Sequence, residues 1–394
     1  MKRRITNPYS LITNGFLLLA LIPLMLEAQI RTGAEQLEKY LPLLEGKRIG
    51  IVANHASVVG GVNTVDTLVS SGCRIKKIFS PEHGFRLQAA AGEIVANGKD
   101  SLTGLTIVSL YGKKRKPATE DLDGLDLVLF DIQDVGVRFY TYISTLTFVM
   151  EACAEQGIPV VVLDRPNPNG FYIDGPVLEK EFSSFVGLHP VPVVYGMTIG
   201  EYAQMVNGEQ WLKNGIQCEL TVIPLAGWTH HTFVELQVPP SPNLTDMNAI
   251  YLYPSLCFFE GTGVSIGRGT CFPFEVFGHP EMKGFAFSFV PESIPGVSLH
   301  PPWEGLRCFG LDLRDFYQTH PTMFGRINLA WVIMAFRDLG SSPDFFTPYF
   351  DKLAGNNSLR NQILEGLPES IIRVSWQDGL EKFKQIRAKY LLYE

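Results

Sequence analysis

The hydrophobic positions of the chain fall into short apolar runs that alternate with amphipathic stretches from Lys47 onward. This alternation is typical of βαβ units, in which helices cover both faces of a parallel sheet. Two of the runs, near residues 127 to 132 and 158 to 163, are almost wholly aliphatic and are expected at the centre of the sheet. We predict six strands: Arg48 to Ala53, Ile75 to Ser80, Thr106 to Leu110, Asp126 to Asp131, Pro159 to Asp164 and Glu219 to Pro224.

Two helices in this half of the chain have clear end signals. The stretch from Tyr140 to Gln156 has helical length and is followed by Gly157, a residue type that commonly ends helices. A second helix is predicted to begin after Thr198, which is a good N-cap residue with Glu201 three positions later, and to extend to about residue 212.

The pattern changes near residue 240, where three prolines occur between positions 239 and 242 and an aromatic, Gly-rich stretch follows. We predict a domain boundary there, with an α/β catalytic domain at 29–245 and a smaller α/β domain at 246–394 that completes a cleft. The second domain is expected to contain helices at Ile327 to Leu339 and Gly379 to Leu391, with short strands between them.

The first 28 residues have the pattern of an export signal. A basic start is followed by an apolar run from Gly15 to Leu26 and by a cleavage site just before Gln29. The run is too short to span a bilayer, which needs roughly 20 apolar residues. We therefore expect a periplasmic or extracellular protein with no stable membrane anchor after cleavage.

Composition and charge narrow the classes of function. The 394 residues are 46% hydrophobic and 19% charged, as in ordinary folded proteins, which excludes a disordered chain. Lys and Arg number 33 against 40 Asp and Glu, so the net charge of -7 argues against nucleic acid as a partner. Six cysteines are present, and a core of this size predicts that they are buried hydrophobic side chains rather than a disulfide framework.

Polar residues follow four of the predicted strands directly. Because ligands of open parallel sheets bind outside the carboxyl ends of the strands, these residues are the first candidates for chemistry. Each one alone is adequately explained as a loop cap or a surface ion pair, but four such groups at one edge favour a site. The candidates are Asn54, His55, Glu82, His83, Arg86, Asp131, Asp134, Arg138, Asp164, Arg165 and Asn167.

Several known chemistries lack their sequence motifs. No Gly-rich dinucleotide loop follows the first strand, no P-loop occurs, and no H-E-x-x-H pair is present. A G-x-S-x-G match around Ser265 is not followed by a helix, and the eight His residues are scattered. We expect neither a cofactor nor a metal.

Carboxylate chemistry remains, as in glycoside hydrolysis, where one carboxyl group protonates the leaving oxygen and a second group acts at the anomeric carbon. Glu82 suits the first role because it lies at a strand end near the apolar Phe85. Asp131, Asp134 and Asp164 are the candidates for the second role.

The aromatic, Gly-rich segment from Phe258 to Glu275 is predicted to form a binding loop that stacks on sugar rings. In this segment, Glu260 is a candidate contact to the substrate. Arg268 is expected either to pair with a substrate carboxylate or to tie the two domains together.

Seven segments of the chain resemble the bacterial exo-acting β-N-acetylmuramidases, a family formerly described as a domain of unknown function. They occur in the expected order and span most of the chain. The segments are SPEHGFR (Ser80 to Arg86), AGE (Ala91 to Glu93), DIQDVGVRFYTY (Asp131 to Tyr142, which includes Tyr140), LDRPNPNG (Leu163 to Gly170), YGMTIGE (Tyr195 to Glu201), PPSPN (Pro239 to Asn243) and EGTGVSIGRGTCFPFE (Glu260 to Glu275).

The resemblance implies a Rossmann-like N-terminal domain, a smaller C-terminal domain and an active-site cleft between them. It implies release of N-acetylmuramic acid from the non-reducing end of peptidoglycan fragments, with Glu82 as the proposed catalytic residue. His55 and His83 would position the sugar. Muramic acid carries a lactyl carboxylate, for which the candidate partners are Arg86, Arg138, Arg165 and Arg268.

Three alternatives stay open at this point. The 2-acetamido group of the substrate could itself attack the anomeric carbon, so that the second carboxylate would only orient it. A non-catalytic module that binds muropeptides would use the same cleft. An amidase or esterase acting on the peptide stem is disfavoured because no nucleophile with a paired His is visible.

Overall fold

The computed structural model describes residues 30–86 and 97–394. The predicted export signal and the segment Ala91 to Glu93 lie outside the described residues. Within the two described ranges, no helix has the length and apolar character needed to cross a membrane.

Most strands lie in the first two thirds of the chain, and their bounds follow the apolar runs. The described strands are β1 (Arg48–Ala53), β2 (Val58–Val59), β3 (Val62–Asn63), β4 (Arg74–Ser80), β5 (Gly98–Lys99), β6 (Thr106–Ser109), β7 (Leu127–Asp131), β8 (Val160–Leu163), β9 (Leu220–Ile223), β10 (Val276–His279), β11 (Phe287–Phe289) and β12 (Cys308–Asp312).

The central sheet has the order β5-β6-β4-β1-β7-β8-β9, in which only β5 is antiparallel to its neighbour. The six parallel strands therefore stand in the spatial order third, second, first, fourth, fifth and sixth along the chain. This is the Rossmann order, and its topological switch point lies between β1 and β7. A hairpin of β2 and β3 and a three-stranded antiparallel sheet, β10-β12-β11, complete the described strands.

Helices cover both faces of the central sheet and build most of the C-terminal part. The described α-helices are α1 (Leu37–Leu44), α2 (Thr64–Ser70), α3 (Thr119–Leu122), α4 (Tyr142–Gln156), α5 (Ile199–Gly208), α6 (Met247–Leu256), α7 (Phe316–Thr319), α8 (Ala330–Asp338), α9 (Pro348–Ala354), α10 (Ser358–Leu364), α11 (Glu369–Ser375) and α12 (Gln377–Arg387).

Two apolar cores lie on opposite faces of the sheet, because successive strand residues point to opposite sides. In β7, Leu127 and Leu129 belong to the core formed with α1 and α2, whereas Val128 and Phe130 belong to the core formed with α4 and α5. The second core continues through α6 into α8, α9 and α12. The N-terminal and C-terminal parts therefore share one continuous core.

The structure confirms the six predicted strands to within one residue at each end. Helix α4 ends at Gly157, whose backbone is left-handed (φ 64°), and the side chains of Thr198 and Glu201 form a capping box at the start of α5. This helix ends at Gly208, earlier than predicted. The prediction of short strands between the two C-terminal helices was wrong. The strands of this part precede residue 327, and the helices α9, α10 and α11 lie between the two predicted helices.

The prediction that the cysteines are buried side chains holds for four of the six. All six thiols are free, but Cys271 is exposed and Cys73 is only partly buried. The fold is therefore stabilised by its apolar cores and hydrogen bonds rather than by disulfide bonds.

Candidate active site

A cleft of about 280 Å³ lies between the carboxyl edge of the sheet and the C-terminal part of the chain. Its walls come from the loops after β4 and β6, the start of α4, the loops near residues 185 and 242, and the elements α6 and α9. The polar and charged lining residues are Glu82, His83, Tyr111, Arg115, Tyr140, Thr141, Ser184, Ser241, Asn243, Tyr253, Glu260, Arg268, Tyr349 and Lys352.

Glu82 enters the cleft from the turn that follows β4. Its carboxylate accepts a hydrogen bond from Thr141 Oγ1 at 3.0 Å, and it lies close enough to Tyr111 for its charge to raise the pKa of that phenol. The next residue, His83, has a left-handed backbone (φ 71°), a conformation that costs energy in a residue with a side chain. This turn directs the half-buried Glu82 side chain away from the sheet and into the cleft.

The second carboxylate among the described lining residues belongs to Glu260, in the 3₁₀ turn Cys257–Gly261 that continues α6. Arg268 donates to Glu260 Oε1 from Nη2 at 2.5 Å and from Nε at 3.2 Å. The guanidinium also lies over the Phe274 ring, 4.9 Å from its centroid. The pair is thus fixed inside the C-terminal part, and Arg268 is not a tie between two domains.

Two tyrosines are close enough to both carboxylates to be affected by their charges. Burial raises the pKa of Tyr111, and the negative charges of Glu82 and Glu260 raise it further. Burial likewise raises the pKa of Tyr349, with added contributions from Glu260 and Glu82. Both phenols therefore stay protonated at neutral pH.

The loop at 239–243 is held against the cleft by Tyr140, whose hydroxyl donates to the Pro240 carbonyl at 2.9 Å. In this loop, Asn243 is 2% exposed and donates to the Val297 carbonyl at 3.1 Å. Its Oδ1 atom is buried and has no partner among the described residues. Asn243 therefore offers an unused acceptor to a ligand in the cleft.

Asp131 lies outside the cleft. Its carboxylate is fully buried and accepts hydrogen bonds from Arg165 Nε at 2.6 Å and from Thr64 Oγ1 at 2.6 Å. Arg165 in turn borders a separate cavity of about 260 Å³ at the carboxyl ends of β1, β7 and β8. These contacts indicate that Asp131 and Arg165 stabilise the structure at the switch point between β1 and β7.

Asp164 also lies outside the cleft, at the N-terminus of α5. It accepts hydrogen bonds from Tyr393 Oη at 2.5 Å, Thr198 Oγ1 at 2.7 Å and the Gly200 amide at 2.8 Å. Burial raises the pKa of Asp164 to about 7, although these hydrogen bonds act in the opposite direction. The carboxyl group anchors the C-terminal tail to the sheet.

Asp134 is buried behind the cleft wall. The Tyr195 hydroxyl and the Gly136 amide donate to its Oδ2 atom, the latter at 2.8 Å, and Oδ1 has no partner among the described residues. Burial raises the pKa of Asp134 to about 6. None of the three aspartates proposed for the second catalytic role thus lines the cleft.

Two of the arginines proposed to bind the lactyl group are engaged elsewhere. Arg86 pairs with Asp66 and Asp100, at 2.8 and 2.7 Å. Arg138 is fully buried and donates to main-chain carbonyls, among them Leu353 in α9 at 2.8 Å. Burial lowers the pKa of Arg138 to about 9.

The other residues that were predicted to contact the substrate hold loops in place. Asn54 donates to the Tyr142 hydroxyl at 3.0 Å, and His55 Nε2 lies 2.8 Å from the Pro239 carbonyl. Asn167 makes hydrogen bonds only to main-chain groups of neighbouring loops. Of the residues predicted from the sequence, the cleft therefore brings together Glu82, His83, Tyr140, Glu260 and Arg268.

The sequence prediction missed several cleft residues, among them Tyr111, Arg115, Tyr349 and Lys352. Tyr111 and Arg115 follow the third parallel strand, and the rule applied to the other strands would have found them. Tyr349 and Lys352 lie on α9, more than 230 residues from β6. No local signal connects that helix to the sheet edge.

The fold and the cleft define a class: an α/β protein with two carboxylates among aromatic and cationic side chains, as in carbohydrate-active hydrolases. The family model for the N-terminal part of exo-beta-N-acetylmuramidase NamZ matches residues 49–248, and the model for its C-terminal part matches residues 251–393. The chain therefore belongs to the exo-β-N-acetylmuramidase NamZ family and is a glycoside hydrolase.

Individual relatives agree with the family models. Peptidoglycan beta-N-acetylmuramidase NamZ of Bacillus subtilis (strain 168) is 40% identical over 390 aligned positions, which cover 93% of this chain and 92% of the relative. Crystal structures of two DUF1343 family proteins from Bacteroides fragilis NCTC 9343 are similar, with TM-scores of 0.86 and 0.76 at 45% and 30% identity. Both alignments cover 93% of this chain and 99% of the other.

Proposed function

We propose that this enzyme is an exo-β-N-acetylmuramidase. It hydrolyses the β-1,4 bond of the non-reducing terminal N-acetylmuramic acid in peptidoglycan fragments, during turnover or recycling of the cell wall. The observation that carries the proposal is the position of Glu82, in the wall of a cleft of about 280 Å³ and hydrogen bonded by Thr141.

In the proposed reaction, protonated Glu82 gives its proton to the glycosidic oxygen as the bond from that oxygen to the anomeric carbon breaks. A water oxygen finally bonds to the anomeric carbon, and the water proton restores the acid. Glu260 replaces the three buried aspartates as the second carboxylate, because it lines the cleft and is held in place by Arg268. Tyr111 and Tyr349 line the same cleft as neutral phenols.

The direct test is product analysis with the disaccharide of N-acetylmuramic acid and N-acetylglucosamine, and with longer glycan fragments that carry or lack peptide stems. We expect mass spectrometry to detect free N-acetylmuramic acid, released one residue at a time from the non-reducing end. Binding without any product would favour a non-catalytic muropeptide-binding protein. Release of peptide stems would instead identify an amidase.

The proposal includes export of the enzyme, on the basis of the basic and apolar sequence that precedes Gln29. Fractionation of producing cells, followed by sequencing of the mature N-terminus, tests it. We expect the protein outside the cytoplasm with a terminus near residue 29. A full-length chain retained in the cytoplasm would refute export without affecting the proposed reaction.

A further inference from the structure

Two cations in the cleft have no carboxylate partner within the described part of the chain. Arg115 follows β6 and Lys352 lies on α9, so they approach the cleft from the N-terminal and C-terminal parts respectively. Both side chains are exposed. The positive charge of these two side chains is a feature of the cleft and not of the whole protein, which carries a net charge of -7. Such a local field in an otherwise acidic protein favours an anionic ligand.

Arg115 is held in position by aromatic side chains. Its guanidinium lies over the Phe185 ring, 4.4 Å from the centroid, and Phe185 stacks on Phe148 with an interplanar angle of 7°. The neighbouring residue, Ser184, also lines the cleft, and its buried hydroxyl has no partner among the described residues. The guanidinium that packs on Phe185 and the unused hydroxyl of the preceding residue thus line the same cleft, and both can donate to a carboxylate.

We infer that Arg115, together with Lys352 and the Ser184 hydroxyl, binds the lactyl carboxylate of the substrate sugar. This inference rests on the proposed function and names the residues that distinguish N-acetylmuramic acid from N-acetylglucosamine, which lacks the lactyl group. Neither cation forms an ion pair with an Asp or Glu side chain of the described residues, so both can pair with a substrate carboxylate.

Arg268 is the competing candidate, and its contacts argue against it. Two of its three guanidinium nitrogens already donate to Glu260, which neutralises its charge. A substrate carboxylate at the remaining Nη1 atom would lie close to the Glu260 carboxylate and be repelled by it. Arg268 therefore positions Glu260 and leaves recognition of the lactyl group to Arg115 and Lys352.

The test compares two chromogenic β-N-acetylmuramic acid glycosides, one with the free lactyl carboxylate and one with the neutral lactyl amide of the same size. The wild-type enzyme is expected to prefer the acid in kcat/KM by about ten- to hundredfold, the range for a charge-assisted hydrogen bond. In Arg115→Met and Lys352→Met, kcat/KM falls much further for the acid than for the amide, because only the acid loses a charged partner. The double variant shows a preference close to one.

Two further variants make the comparison specific. Lys113→Met removes an exposed cation near Arg115 that does not line the cleft, and it leaves the preference unchanged. Arg268→Met lowers kcat on both substrates to a similar degree and keeps the preference. A preference that survives in the Arg115 and Lys352 variants but disappears in Arg268→Met would overturn the inference.

A binding measurement separates this inference from the proposed reaction. Calorimetric titration with free N-acetylmuramic acid and with N-acetylglucosamine requires no turnover. If neither glycoside is hydrolysed, the proposed function fails, yet selective binding of the muramic sugar that is lost in Arg115→Met would still support the carboxylate site. Equal affinities for the two sugars in the wild-type protein would refute the site.

Discussion

Glu82 and Glu260 differ in the groups that hold them. Glu82 accepts a hydrogen bond from the neutral hydroxyl of Thr141, whereas Glu260 is paired with the guanidinium of Arg268. We therefore assign Glu82, which enters the cleft from the edge of the sheet, as the acid, and Glu260, which is paired with a cation, as the second carboxylate.

This division of roles predicts that Glu260→Gln lowers kcat by about a hundredfold or more, the usual contribution of a catalytic carboxylate. The amide keeps the size of the side chain and can still accept from Arg268, so the unfolding temperature should change little. Glu281→Gln, on an exposed side chain outside the cleft, is the matched control and should retain full activity. A normal kcat in Glu260→Gln would remove Glu260 from the reaction.

The raised pKa of Asp134 predicts how the stability of the protein changes with pH. Its pKa is about 6 in the folded protein and near its ordinary value of 3.8 after unfolding. The folded state therefore holds the proton more tightly, and the stabilisation that is complete below pH 3.8 is lost as the pH rises through 6. The total effect is about 3 kcal/mol.

The Asp134→Asn variant tests the predicted direction of this pH dependence. The amide oxygen can take the place of Oδ2, which receives both hydrogen bonds, and the NH₂ group can take the place of the unpartnered Oδ1. Denaturant unfolding of both proteins from pH 4 to pH 8 should show the variant gaining stability relative to wild type as the pH rises. A constant difference between the two proteins would contradict the raised pKa.

At the scale of elements, the strands of the sheet could be predicted because each is a short, nearly continuous apolar run buried on both faces. Helix ends could be predicted where one residue type has a clear physical role, as with Gly157 in its left-handed conformation. The C-terminal strands were misplaced because that region is stabilised by aromatic packing between distant segments, which leaves no regular period in the sequence.

The start of α5 gives a prediction at this scale. Thr198 accepts from the Glu201 amide and donates its own hydroxyl proton to Asp164, so one side chain caps the helix and satisfies a buried carboxylate. Thr198→Ala should lower the free energy of unfolding by about 2 kcal/mol. Thr198→Ser keeps the hydroxyl and should recover most of this loss in urea unfolding. Equal stability of the two variants would argue against the cap.

At the scale of the whole molecule, the location of the site depends on the C-terminal part. Asp131 and Asp164 end their strands as predicted, but position at the carboxyl edge does not decide whether a side chain faces a cleft or a buried partner. The partners that bury them, Arg165 and Tyr393, come from distant segments. The sequence therefore identified the sheet edge and Glu82, while the second wall of the cleft required the tertiary structure.

Arg138 shows how the two parts are joined. It is fully buried and donates to the carbonyls of Pro176, Val191 and Leu353, so it links the loops beside the sheet to α9. Arg138→Met leaves these buried carbonyls without a donor and should cost about 3–5 kcal/mol of stability. Arg337→Met, on an exposed helix position, should change stability by less than about 0.5 kcal/mol.

The kinetic behaviour of Arg138→Met separates a structural role from substrate binding. Below its unfolding temperature, the variant should keep the wild-type preference for the lactyl acid over the lactyl amide. A variant of normal stability that loses this preference would return Arg138 to the substrate site.

The most direct test of the central claim uses a chromogenic β-N-acetylmuramic acid glycoside, the matching N-acetylglucosamine glycoside and the Glu82→Gln variant. We expect the wild-type enzyme to release the chromophore from the muramic glycoside alone. The variant should remain folded and lose about two to four orders of magnitude in kcat, because its amide cannot supply a proton to the leaving oxygen. No release by the wild-type protein, or undiminished release by Glu82→Gln, would contradict the account.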